Sequence, residues 1–196
     1  VGRNAVREAL RNLENAGLIA MELGVKGGAF IREGDSGKVT QVMRDMVHLG
    51  SISVDDLTEL RIHLLDVVVR LACERATDED FAKLKAIVEK TASTVEDPSY
   101  ERRLAYSLEF YRILAAATRN RAIVMVVESL GDTVGRLLGP TYFSPVALAE
   151  ARQRFYDHFV RRDADGASRE LRDLLVALRD LAKTLESGRA DAAAGR

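Results

Sequence analysis

Val1-Gly2-Arg3-Asn4-Ala5-Val6-Arg7-Glu8-Ala9-Leu10-Arg11-Asn12-Leu13-Glu14-Asn15-Ala16-Gly17-Leu18 opens the chain, which then runs on to Lys26-Gly27-Gly28-Ala29-Phe30-Ile31. Val6, Ala9, Leu10, Leu13 and Ala16 follow the i, i+3, i+4, i+7 spacing, which predicts a helix over 3–16 with one buried stripe. Asn4, Arg7, Arg11 and Asn15 fall on roughly the opposite side. Gly17 is placed to end the helix, because glycine adopts the left-handed conformation of a C′ residue without strain. Short apolar runs at 18–21 and 29–31 flank Gly24-Val25-Lys26-Gly27-Gly28, the pattern of a two-stranded hairpin with a glycine-rich tip.

Outward from that unit, Glu33-Gly34-Asp35-Ser36-Gly37-Lys38 has two glycines and no large apolar residue. It marks a boundary between an N-terminal unit at 1–33, a linker at 34–38 and a helical domain at 39–188, followed by a small, polar tail at 189–196 that is expected to be flexible. Helices are predicted over 39–49, 54–75, 78–94, 99–118, 120–138, 145–162 and 164–186. Ser53 can cap the second, with Asp55 and Asp56 in its first turn, and Thr77-Asp78-Glu79-Asp80 starts the third by the same logic. Asp97-Pro98-Ser99 and Gly139-Pro140 break the chain between helices. The cleanest stripe is Leu171, Leu174, Leu175, Leu178, Leu181 and Leu185. The expected fold is mainly α: a partial winged helix-turn-helix, reduced to one helix and a hairpin, then an all-α antiparallel bundle of six to seven helices.

Composition restricts the class. The chain is 47% hydrophobic and 30% charged, with a formal net charge of −1, which argues mildly against a protein whose whole surface binds nucleic acid. Cys73 is the single cysteine, so no internal disulfide forms; in a helical run it reads as a small buried apolar residue. No apolar stretch reaches the roughly 18 residues of a membrane span, and no signal peptide is evident, so a reduced cytoplasm is the default location. The first residue is Val and lies inside a motif, so the natural N-terminus is expected to be missing.

A helix that enters the major groove needs guanidinium and amide groups near its N-terminal end, because Arg bonds guanine and Asn bonds adenine bidentately. Arg3, Asn4 and Arg7 occupy that part of the helix, and Lys26 beside Gly27 can approach a phosphate closely. A solvated amphipathic helix followed by a hairpin would show the same pattern. Local charge does not separate the two readings: residues 1–34 hold five basic and four acidic side chains.

The run from Val1 to Leu18 resembles the recognition helix of the GntR family of bacterial regulators, roughly V-S-R-x-x-V-R-E-A-L-x-x-L-x-x-x-G-L followed by a G-x-G-x-F-V wing. Gly2 stands where the family usually has Ser or Thr, so one phosphate-bonding hydroxyl is absent. The resemblance implies that Arg3, Asn4, Arg7, Lys26 and Gly27 contact an operator in double-stranded DNA. Asp56-Leu57-Thr58-Glu59-Leu60-Arg61, the run from Leu71 to Asp80 and the run from Phe110 to Asn120 resemble the effector domain of the FadR subfamily, the FCD domain.

Such domains bind metabolites in the bundle core, and many hold a divalent metal through D-x-x-F-H and two later His. Here the corresponding positions are Ser107, Tyr111, Arg152 and Leu174, which make no ligand set, so no metal or other cofactor is expected. His48, His63 and His158 lie elsewhere. Arg61, Ser107, Tyr111, Arg152 and Tyr156 are the candidate effector residues. A buried Arg there needs an anionic partner, either a ligand or an internal carboxylate such as Asp66, Glu109 or Asp157; a guanidinium reaching out to water is the third possibility. Members of the subfamily without the metal include acyl-CoA sensors.

The resemblance therefore implies a cytoplasmic homodimeric repressor, not an enzyme, that answers to a small anionic, partly apolar effector such as an acyl-CoA or organic acid. A helical protein–protein interaction module and a helical-core enzyme are the alternatives. No glycine-rich phosphate loop and no paired His/carboxylate constellation supports the enzyme.

Overall fold

A computed structural model describes residues 2–16, 19–22, 24, 27–31, 36–97, 99–138 and 144–194. Gly17, Lys26, Gly34, Asp35, Pro98 and Pro140, singled out above as helix stop, hairpin cation, linker and breakers, lie outside the described residues. The N-terminal unit is α1 (Arg3–Asn15) followed by β1 (Ile19–Glu22) and β2 (Gly28–Ile31). The strands pair antiparallel, with Ile19 opposite Ile31 and Glu22 opposite Gly28. The backbone N–H of Met21 donates to Glu14 Oε1 at 3.3 Å and ties the hairpin to α1.

One expectation fails here. The apolar stripe of α1 is not buried: Val6 is 47% and Leu13 39% exposed, and Leu10 is half-buried. Within the described residues α1 packs against β1, and one short strand cannot cover a 13-residue helix.

The helical domain runs α2 (Gly37–His48), α3 (Val54–Arg75), α4 (Asp78–Ser93), α5 (Tyr100–Ala117), α6 (Arg121–Leu138), α7 (Pro145–Val160) and α8 (Ala164–Ala194). The helix starts follow their caps. Ser53 Oγ accepts from the Asp56 N–H at 3.0 Å while Asp56 Oδ2 accepts from the Ser53 N–H at 2.8 Å, a reciprocal capping box. Helix α8 continues eight residues past the end expected from its leucine stripe, through an alanine-rich stretch with high helix propensity.

Helix α3 packs against α5, α6 and α8; α4 against α5 and α7; α7 against α8; and α2 against α6. Leu65, Val68, Leu84, Leu114, Phe155, Phe159 and Leu175 fill the core. Phe110, Phe155, Phe159 and Phe81 form a chain of ring contacts with centroids 5.3 to 5.7 Å apart. Cys73 is buried as expected, and desolvation pushes its thiol up to about 11. Leu60, three residues after the buried Leu57 on α3, is 48% exposed.

Asp80 is a buried carboxylate that holds the α3–α4 turn. Its Oδ2 accepts from the Thr77 N–H and Oγ1, both at 2.8 Å, and from Arg119 Nη2 at 2.5 Å. Asp80→Ala is expected to cost about 2 kcal/mol, less than a fully buried pair because Arg119 is half exposed. Urea unfolding followed by circular dichroism measures it, and an unchanged midpoint would remove Asp80 from the stabilising set.

Acid should destabilise the fold by the same chemistry. Burial raises Asp80, but Arg119 and Thr77 outweigh it and hold the carboxyl low; Ser168 and Arg70 lower Asp66, and the Gly166 N–H and His158 lower Asp163. A carboxyl lowered on folding contributes stability that is complete above its unfolded value and lost as pH falls through its folded one. Melting temperature is expected to hold above about pH 5 and to fall progressively below about pH 4, measured by calorimetry.

Candidate functional site

Two sets of residues follow from the sequence. On α1, Arg3, Asn4 and Arg7 are all exposed, and neither arginine has an ion pair among the described residues. The hairpin tip depends on glycine: the Gly27 N–H donates to Gly24 O at 2.9 Å, and a Cβ at Gly27 would lie 2.3 Å from Glu22 O. Gly24 takes φ +130°, which favours glycine. Gly27 itself is exposed. The structure therefore leaves these groups accessible, with side chains free to approach a polyanion.

The second set meets in the bundle. Arg152, on α7, is 1% exposed. Its guanidinium carbon lies 4.2 Å from the Phe110 ring centroid and 5.6 Å from that of Tyr111. From α3, the guanidinium of Arg61 lies 4.4 Å over the same Tyr111 ring. Arg152 Nη1 donates to Thr91 Oγ1 at 3.3 Å and to the Tyr106 carbonyl at 3.4 Å, two neutral acceptors. Its Nε and Nη2 are buried and meet no acceptor in hydrogen-bond geometry, although the Tyr111 hydroxyl lies near enough to favour the charge. Burial pushes the guanidinium down to about 10, opposed by the nearby Tyr111 hydroxyl and reinforced by the charge of Arg61. It stays protonated at neutral pH, so a cation is held inside the fold.

The internal carboxylates weighed as partners are occupied elsewhere. Asp66 takes Arg70, Arg172 and the Ser168 hydroxyl. Glu109 pairs with Arg112 at 2.5 Å, and Asp157 accepts from Gln153 at 2.9 Å. Among the described residues, no carboxylate pairs with Arg61 or Arg152, and burial rules out Arg152 reaching water.

Of the five candidate effector residues, Arg61, Tyr111 and Arg152 come together. Ser107 is half-buried one turn before Tyr111, and Tyr156 is half-buried against the same core. Thr91 and the Tyr106 carbonyl were missed by sequence reasoning. The available signal for Thr91 was a hydroxyl in line with Leu84, Ile87 and Val88 on the buried stripe of α4; a backbone carbonyl leaves no sequence signal at all.

The divalent metal that the resemblance implies has no fitting donors at this place. Leu174 is buried in the core with an alkyl side chain, and Arg152 brings a positive charge where a ligand atom would be needed. His158 Nδ1 is 2.7 Å from Asp163 Oδ2 at the α7–α8 turn, and His48 and His63 are exposed.

A cleft of about 400 Å³ lies between α2, α5 and α6, lined by Thr40, Arg44, Tyr111, Arg112, Glu128 and Asp132 among others. Tyr111 thus touches both this cleft, which α2 borders, and the two arginines. Arg44 bonds Asp132 at 2.5 Å, and Ser129 Oγ donates to Ser36 O at 3.1 Å, so α2 is fastened to α6.

Residues 56–177 match the FCD domain. The chain is 32% identical over 136 residues to an HTH-type transcriptional regulator of Mycobacterium tuberculosis, covering 69% of this chain and 54% of that protein. It is 30% identical over 135 residues to the transcriptional repressor NanR of Salmonella newport, covering 67% of this chain and 50% of NanR. The chain thus spans about half the length of the curated relatives it matches. A solved GntR structure from Streptococcus agalactiae superposes with a TM-score of 0.73 at 20% identity, over 92% of this chain and 82% of the other. A GntR family member from Pseudomonas syringae gives a TM-score of 0.57, also at 20% identity, over 97% of this chain and 74% of that one. The FCD domain takes up most of the chain's length, so the chain belongs to the family of FCD-domain proteins, and its fold is that of the solved GntR structures.

Proposed function

We propose that the protein is a ligand-responsive, DNA-binding transcriptional regulator of the FadR subfamily, acting as a homodimeric repressor. The observation that carries the DNA half is the exposed, unpaired face of Arg3, Asn4 and Arg7 on α1. Relatives whose names describe transcriptional regulation support it. Arg3 and Arg7 fit guanine edges or phosphates, Asn4 fits adenine, and Lys26 and Gly27 belong to the wing that follows. Two copies would read half-sites about one helical turn apart, roughly 34 Å. The effector is a small anionic, partly apolar metabolite, an organic acid or acyl-CoA, held near Arg61, Tyr111 and Arg152. Its coupling free energy with DNA would run through α2, the helix nearest the linker.

The test uses a duplex enriched from a random pool by the protein itself. Arg3→Ala and Arg7→Ala are each expected to weaken binding by about 10- to 100-fold if they contact bases, and by less, with a shallower salt dependence, if they contact phosphate. Fluorescence anisotropy against salt concentration measures both. Binding that ignores salt and both substitutions would refute the DNA reading and favour a protein-interaction module.

A further inference from the structure

The residue that removes the metal site is itself a cation, buried and without a counter-ion. We propose that the Arg152 guanidinium takes the role the divalent cation would have. It would receive a ligand carboxylate side-on through its Nε–H and Nη2–H edge, with Arg61 as the second positive group across the Tyr111 ring. The domain would then sense a carboxylate without any metal. This deepens the ligand-responsive reading above and rests on it.

The argument begins with which edge is free. In a planar guanidinium, Nε–H and Nη2–H point the same way, parallel and spaced like the two oxygens of a carboxylate. Those are the two Arg152 nitrogens left without an acceptor in hydrogen-bond geometry. Nη1, on the other edge, is taken by Thr91 and Tyr106, which fix the plane while leaving the charge uncompensated. Phe110 lies against the face of the guanidinium and Phe155 packs against Phe110, so the surroundings of the cation are aromatic and suit an apolar stem.

Two neighbouring guanidinium groups repel each other, and an anion relieves both. A carboxylate has only two oxygens for the two donors of this edge, whereas a phosphate bound by the same fork would leave further charged oxygens in aromatic surroundings. A dication would add charge beside Arg152 and find no donor at Leu174.

The experiment uses the whole chain, dialysed against EDTA, in thermal-shift and calorimetric titrations. The probes are acetate, succinate, citrate and octanoate, with inorganic phosphate at matched ionic strength. At least one carboxylate is expected to raise the melting temperature in the presence of EDTA, with phosphate giving no rise and added Mn²⁺ or Zn²⁺ no gain. Arg152→Met is expected to abolish the carboxylate response while melting higher than the unliganded wild type, because an unpaired buried charge is replaced by an apolar chain of similar length. Arg152→Lys keeps the charge and loses the fork, and should weaken binding about tenfold or more.

Should Arg152→Met fail to fold, Arg61→Gln, at a half-buried position, carries the test: binding should drop about tenfold with no loss in the melting temperature of the unliganded chain. A response that needs a divalent metal, that phosphate reproduces, or that survives Arg152→Met overturns the carboxylate site while leaving a ligand-responsive domain standing. No response to any probe, with Arg152→Met melting lower than wild type, makes Arg152 a structural residue and overturns both.

Discussion

One end of the bundle is closed by arginines bonded to helix ends. The last carbonyls of a helix have no partner within it, and several helices that stop together create a shell of unpaired acceptors. Arg162, just after α7, covers three of these at the end of α3: its guanidinium donates to the carbonyls of Cys73, Glu74 and Ala76. Arg75 donates to the Thr118 carbonyl at the end of α5, and Arg119 reaches Asp80 at the start of α4. Arg162 and Arg119 have φ of 56° and 57°, a left-handed conformation in which glycine is the easier residue. The strain, about 1 kcal/mol each, is offset by bonds that only a long cation can make from that position. These links join α3, α4, α5 and α7 and set the relative heights of the residues in the core.

Against that background Arg152 is the exception. Arg75, Arg119 and Arg162 each meet main-chain carbonyls or a carboxylate. Arg152 meets aromatic faces and two neutral oxygens at long range. A fold selected only for stability would have an apolar residue at this position, since burying an unpaired charge is unfavourable. Under the proposal above, the cost of holding this cation among Phe110, Tyr111 and Phe155 is what a ligand carboxylate would offset.

Much of this was legible in advance because helical bundles advertise themselves locally. Ser53 and Thr77, the acidic first turns behind them and the leucines of α8 fixed the helices and their starts. Cys73 and the clustering of Tyr111, Arg61 and Arg152 also followed from periodicity together with the family resemblance. What escaped depends on partners that periodicity cannot supply. The α1 stripe is as regular as any, yet Val6 and Leu13 stay exposed because burial is a property of what lies opposite. Leu60 sits at the edge of a stripe, where a small rotation decides between core and solvent. The acceptors of Arg152 are a threonine hydroxyl and a main-chain carbonyl brought in from two other helices.

The contact between α5 and α6 is built around two glycines. A Cβ on Gly131 would lie 3.2 Å from Leu108 Cδ2, and one on Gly135 would lie 2.6 Å from Leu104 Cδ1. Tyr100 completes the seam by donating from its hydroxyl to the Gly135 carbonyl at 2.5 Å. Leucines seated over glycines act as pegs in slots, so neither helix can slide or roll without lifting the pegs out. The pair therefore behaves as a stiff plate. Tyr111 on α5 and Asp132 on α6, which grips α2, both line the cleft beside it. A pair this stiff cannot absorb a displacement within itself, so any movement imposed on it would reach the first helix after the linker through the Arg44–Asp132 pair.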